Sequence, residues 1–172
     1  MEKNFMKKII CAIFLALLTL GILFTVWKYS VLSATQYSED SVCIANPFEP
    51  CKNMNAAEKI SGFSMKLPDI PDGFSFLELS AIKDSMIQAI YENRDSDLDI
   101  YLRKAPGSVD ISGDYNFYQN QDQLIVSDKV VTLKGNGDKI MVATWTQESY
   151  TYAIDTDGIS ADIILDLIQQ ME

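Results

Sequence analysis

Hydrophobic and polar positions divide this chain into stretches of different period. Residues 9–27, IICAIFLALLTLGILFTVW, hold nineteen positions without a charge, Pro, Asn or Gln. At about 1.5 Å of rise per residue, a helix of that length spans about 28 Å, the thickness of a bilayer core. Residues 28–53 are rich in Ser, Asn, Pro and acidic side chains and lack a sustained apolar period, which predicts a tether. NAAEKISGF, 55–63, predicts a two-turn helix with Asn55 as its N-cap and Gly62 at the left-handed position that ends it. Pro68 and Pro71 then break the chain.

From Phe74 the period becomes two. FSFLELSAI (74–82) puts Phe74, Phe76 and Glu78 on one face and Leu77, Leu79 and Ala81 on the other. MIQAIYEN (86–93) and LDIYLRK (98–104) follow, separated by the turn-like RDSD. Residues 105–123 read as a long polar loop or a poorly formed edge. LIVSDKVVTLK (124–134) pairs with KIMVATWTQ (139–147) across Gly135-Asn136-Gly137, and Gln147-Glu148-Ser149 turns the chain into YTYAI (150–154). A last, amphipathic helix has Ser160 as its cap, Ile159 and Ile164 as a hydrophobic staple, and Ile163, Ile164, Leu167, Ile168 and Met171 as one apolar stripe. That stripe needs a surface to cover. The expected fold over residues 54–172 is therefore α+β: an antiparallel meander of five to seven strands, with a short N-terminal helix and the C-terminal helix on one face.

Charge sets the orientation. The first eight residues carry three Lys and one Glu, and only Lys28 closely follows the apolar run. Residues 1–8 are expected in the cytoplasm, 9–27 in the cell membrane as a single-pass anchor, and the bulk of the chain outside. Trp27-Lys28-Tyr29 supply an aromatic and basic collar for an uncleaved signal-anchor; VLSA at 31–34 offers a cleavage site that would leave a secreted domain. Cys11 follows Ile9-Ile10 without the small residue that lipid attachment needs. Beyond Lys28 lie ten of the 14 basic and 23 of the 24 acidic residues, a net charge of −13 that disfavours nucleic acid and anionic lipid as partners. Cys43 and Cys51 are the only thiols out there; a disulfide between them suits an oxidising compartment, and two free thiols are the alternative.

AAEKISGFSMKLPDIPDGF, DISGDYNFY, VTLKGNGDKIMVATWTQESYTYAI and the closing IS…DIILDLIQQM together resemble the extracytoplasmic domain of unknown function 4367, a family common in Gram-positive bacteria. The resemblance covers residues 54–172. It implies a membrane-associated, extracytoplasmic module of undetermined function, similar at fold level to curved-sheet lipoprotein-carrier and sigma-regulator sensor domains.

Little in the chain suggests catalysis. It contains no His, and no G-x-S-x-G, P-loop or dinucleotide motif, so no cofactor is implied and the chain is read as a non-enzyme. Asp95, Asp97 and Asp99, Asp110 and Asp114, and Asp155 and Asp157 resemble calcium-loop clusters, but none meets the EF-hand pattern, and turns use Asp for their own reasons. Tyr115, Phe117 and Tyr118 in the polar loop, with Trp145 and Tyr150 around the last turn, are the candidate ligand-facing aromatics; for Trp145 and Tyr150 the alternative is cross-strand packing. The expected role is a binding or sensory module for a peptide, protein or envelope component, the alternative a structural or accessory subunit of an envelope assembly.

Overall fold

The computed structural model describes residues 6, 19–21 and 46–171. The expected membrane helix 9–27, apart from 19–21, and Cys43 of the expected disulfide lie outside the described residues. No helix among the described residues is long and apolar enough to cross a membrane.

Among the described residues, eight strands and two helices make up one compact unit from Asn46 onward. In chain order they are β1 (Glu49–Pro50), α1 (Met54–Ser61), β2 (Ser75–Ile82), β3 (Met86–Asn93), β4 (Leu98–Pro106), β5 (Asn120–Val126), β6 (Lys129–Asn136), β7 (Lys139–Gln147), β8 (Tyr150–Ser160) and α2 (Ala161–Gln170). The strands form one antiparallel sheet in the order β1-β2-β3-β4-β8-β7-β6-β5. The α+β class and the antiparallel sheet expected from the sequence are thus present, with eight strands rather than five to seven.

Two strands were hidden from the sequence pattern. LIVSDKVVTLK is not one strand: Val126 pairs with Lys129 across a two-residue turn, and Ser127 takes a positive φ of 57°. The two ends of the loop expected at 105–123 belong to strands, 105–106 to β4 and 120–123 to β5. β1 lies in the stretch read as tether and adds to β2 through Glu49↔Ala81 and Pro50↔Ser80. The GNG hairpin is also tighter than expected, since Asn136 pairs with Lys139 and only Gly137-Asp138 turn. Gly135 sits inside β6 at a register shift, where an added Cβ would lie 2.0 Å from the Lys139 carbonyl oxygen. Only glycine fits there.

A bulge likewise breaks the simple alternation of β2. The register skips between Phe76, opposite Tyr91, and Glu78, opposite Ile90, so Phe76 and Glu78 end on different faces. Phe76 meets Tyr91 edge-on at 5.7 Å.

Both helices cover the same face. Register pairs set Ala89, Leu102, Ile154, Ala143 and Leu133 in one row across five strands, and Ala89, Leu102, Ile154 and Ala143 in it are fully buried. α1 packs on β2 and β3; its N-cap is Asn53 rather than Asn55, the Asn53 side chain accepting from the Ala56 amide at 3.0 Å. Gly62 ends it with φ 84°, as expected. α2 packs on β8, β7 and β5 and buries Ile164, Leu167, Ile168 and Met171 completely, while Ile163 is half-buried. Ser160 holds the N-cap position but makes no side-chain capping bond. At the other end the buried Lys129 donates to the Ile168 and Met171 carbonyl oxygens at 3.1 and 3.0 Å, which satisfies two of the acceptors that a helix end leaves open.

Candidate functional site

Side chains alternate across a strand, so one residue along from the buried rows the chemistry changes. Gln88, Arg103, Ala153, Thr144, Thr132 and Gln123 form one row on the face away from the helices; Ile90, Tyr101, Asp155, Val142, Lys134 and Gln121 form the next. The segment 107–119, between β4 and β5, lies over these rows as a strap. Its start is anchored by the Thr151 hydroxyl, which donates to the Gly107 carbonyl at 2.7 Å.

Arg103 is the pillar under the strap. Its Nε donates to Gln88 Oε1 at 2.7 Å and its guanidinium also reaches the Ile111 carbonyl. The strap passes so close that a Cβ on Gly113, whose φ is 74°, would lie 2.7 Å from the guanidinium. Burial lowers the Arg103 pKa, a shift opposed by the Asp155 charge. A second tie joins Lys134 to Asp110 at 2.9 Å. Burial alone would raise the Asp110 carboxyl, but the Ser112 amide and hydroxyl and Lys134 together bring it below the usual carboxylate range. Tyr118 donates to Asp114, which also accepts from the Asn116 amide at 2.6 Å.

Between strap and sheet is a cleft of about 440 Å³ lined by Asp110, Asp114, Tyr115, Phe117, Tyr118, Gln121 and Lys134 among others. A smaller groove of about 240 Å³ shares Asp110 and is floored by Thr132, Thr144, Thr146 and Thr151. Tyr115 and Phe117 stand 93% and 102% exposed at the cleft. Aromatic rings left wholly in water on an ordered loop contribute no packing to the fold.

The five candidate aromatics fall into two groups. Tyr115, Phe117 and Tyr118 come together in the strap. Trp145 is 3% exposed, and its stacking partner is Tyr152 (5.2 Å between centroids, 4° between planes), the residue opposite it in β8. Tyr150 packs on Phe63 at 5.2 Å instead, with the buried Lys104 ammonium 4.5 Å from its ring. Cys51 is half-buried beside β1 and its thiol donates to the Glu49 carbonyl at 3.3 Å.

The chain has no match among family models, curated proteins or solved structures.

The acidic clusters do not converge. Among the described residues no three His, Cys, Asp or Glu side chains are grouped so as to hold a metal ion. Asp157 accepts from the Asp99 amide at 3.0 Å. Asp155 lies in the strap-face row, where its carboxyl is pushed up to about 6 by burial, with Arg103 opposing and Asp114 and Asp157 adding to the rise. Arg103, Gln88, Lys134 and Gln121 had no distinguishing signal in the sequence. Each is an ordinary polar position in an alternating strand, and only the pairing of β3, β4, β6 and β5 brings them under one strap.

Proposed function

We propose that this chain is a binding or sensory module held at a membrane by residues 9–27, with the strap 107–119 and the cleft beneath it as its recognition surface. The observation that carries this reading is the pair Tyr115 and Phe117, fully solvent-exposed on a loop that Arg103 and Lys134 tie down. A loop fixed by polar ties while its aromatics face water has its contact residues pre-positioned, which lowers the ordering cost of binding. The uncharged run 9–27 with its basic flank, and the resemblance of residues 54–172 to the domain of unknown function 4367, support an extracytoplasmic setting.

A benzoylphenylalanine at position 117 of the membrane-inserted full chain tests this. It should give a light-dependent adduct in cells that the same group at position 169, on the outer side of α2, does not give. Equal adducts at both positions, or none at 117, would remove the strap as the recognition surface.

One observation favours the second reading, an accessory subunit docking by a sheet edge. β5 ends the sheet, seven residues long without Pro or bulge, and no strand of the described residues pairs with its outer side.

A further inference from the structure

We infer that the cleft under the strap takes a neutral oligosaccharide, an inference that rests on reading the strap as the recognition surface. The lining eliminates the other ligand classes in turn. Among the described residues Lys134 is the one cation that lines the cleft, and Asp110 already neutralises it at 2.9 Å, while the rest of that lining is neutral or acidic. An anion would meet net repulsion in a chain of charge −10. A metal ion would find no ligand set, since among the described residues no three His, Cys, Asp or Glu side chains are grouped to hold one, and Lys134 already pairs with Asp110. An apolar ligand would strip water from Asp110, Asp114, Gln121 and Lys134 without replacing their hydrogen bonds.

What remains is a ligand with an apolar face and a rim of hydroxyl groups. A pyranose ring has both. Its C–H face covers an aromatic ring, and its hydroxyls donate to acceptors that are already fixed in place. Tyr115 and Phe117 provide the rings. Asp114 and Asp110 are oriented acceptors with lone pairs to spare: a carboxylate accepts about four donors, Asp114 holds the Tyr118 hydroxyl and the Asn116 amide, and Asp110 holds Lys134 with the Ser112 amide and hydroxyl. The groove that shares Asp110 extends the site with Thr132, Thr144, Thr146 and Thr151, hydroxyl-bearing side chains suited to further sugar units. The ligand class is thus a chain of sugars rather than a single ring.

The test uses the full chain in detergent micelles on an array of neutral oligosaccharides, with chitotetraose and cellotetraose as free competitors and pentalysine as the cationic probe. At least one neutral oligosaccharide should bind saturably. Y115S combined with F117S should weaken it about tenfold or more with the melting temperature unchanged, and D114N alone should weaken it as well. An array with no neutral sugar bound, binding indifferent to these substitutions, or competition by pentalysine but not by sugars would each overturn the inference. If the photo-adduct at position 117 persists while the array stays silent, the saccharide is wrong and the recognition surface stands. If both are lost, both fall.

Discussion

On its helix-covered side the sheet buries Ile87, Ile100, Leu102 and Ile154 completely; one residue further along the same strands, its strap-covered side carries Gln88, Tyr101, Arg103 and Asp155. The helix side is closed by two amphipathic helices, the other by a polar loop tied at a few points. A slip of one residue in any strand would exchange these sets, so the apolar face fixes the register of the polar one. The stability of the fold therefore resides on one side, which leaves the other free to carry groups that would not be chosen for packing. Arg103 and Asp155 are such groups: burial lowers the pKa of the first and raises that of the second.

If the helix side dominates stability, substitutions there have the largest effects. Leu167→Ala, at a fully buried position, should cost about 2–5 kcal/mol of a total near 5–15, read as a lower urea midpoint. Gln169→Ala on the outer side of α2 should leave the midpoint almost where it was. Equal effects would mean that α2 is not part of the core. Next in size is Lys129→Met, which removes the donor to two carbonyl oxygens at the end of α2 and should cost about 1–3 kcal/mol. A midpoint unchanged by that substitution would show that water serves these acceptors equally well.

On the strap side the expected signature is pH dependence rather than a large loss. The Asp155 carboxyl titrates near about 6 in the folded chain, above the roughly 3.9 of an unfolded Asp. Between those values the folded state binds the extra proton. The contribution of this group to stability is therefore complete below about pH 4 and is lost as pH rises through about 6. Asp155→Asn should remove that decline, so the variant gains on the wild type as pH rises from 4 to 7. Parallel curves for the two proteins would place Asp155 in ordinary solvent.

The smallest effect on stability should come from the strap aromatics. Tyr115→Ser with Phe117→Ser should shift the midpoint by no more than about 0.5 kcal/mol, because both rings are exposed. A large shift would make them packing residues after all and would blur the division between the faces.

Much of the helix side could be read from the chain. The alternation in MIQAIYEN and LDIYLRK, the stripe in DIILDLIQQM and the turn at Gly137 each state a local preference that the fold obeys. The Ser127-Asp128 turn was hidden because it interrupts an apolar run whose two halves keep the same period. β1 was hidden because two residues carry no period at all; Glu49 and Pro50 are strand only because β2 offers its edge. The aromatics show the limit most clearly. Proximity in sequence suggested Tyr150 as the cross-strand neighbour of Trp145, but the two-residue turn at Glu148-Ser149 sets Gln147 opposite Tyr150 and Trp145 opposite Tyr152. The strap site was beyond reach for the same reason. Arg103, Asp155, Lys134 and Asp114 come from four separate segments, and their meeting depends on strand order and register, which are set by the summed burial of the opposite face and not by any local pattern.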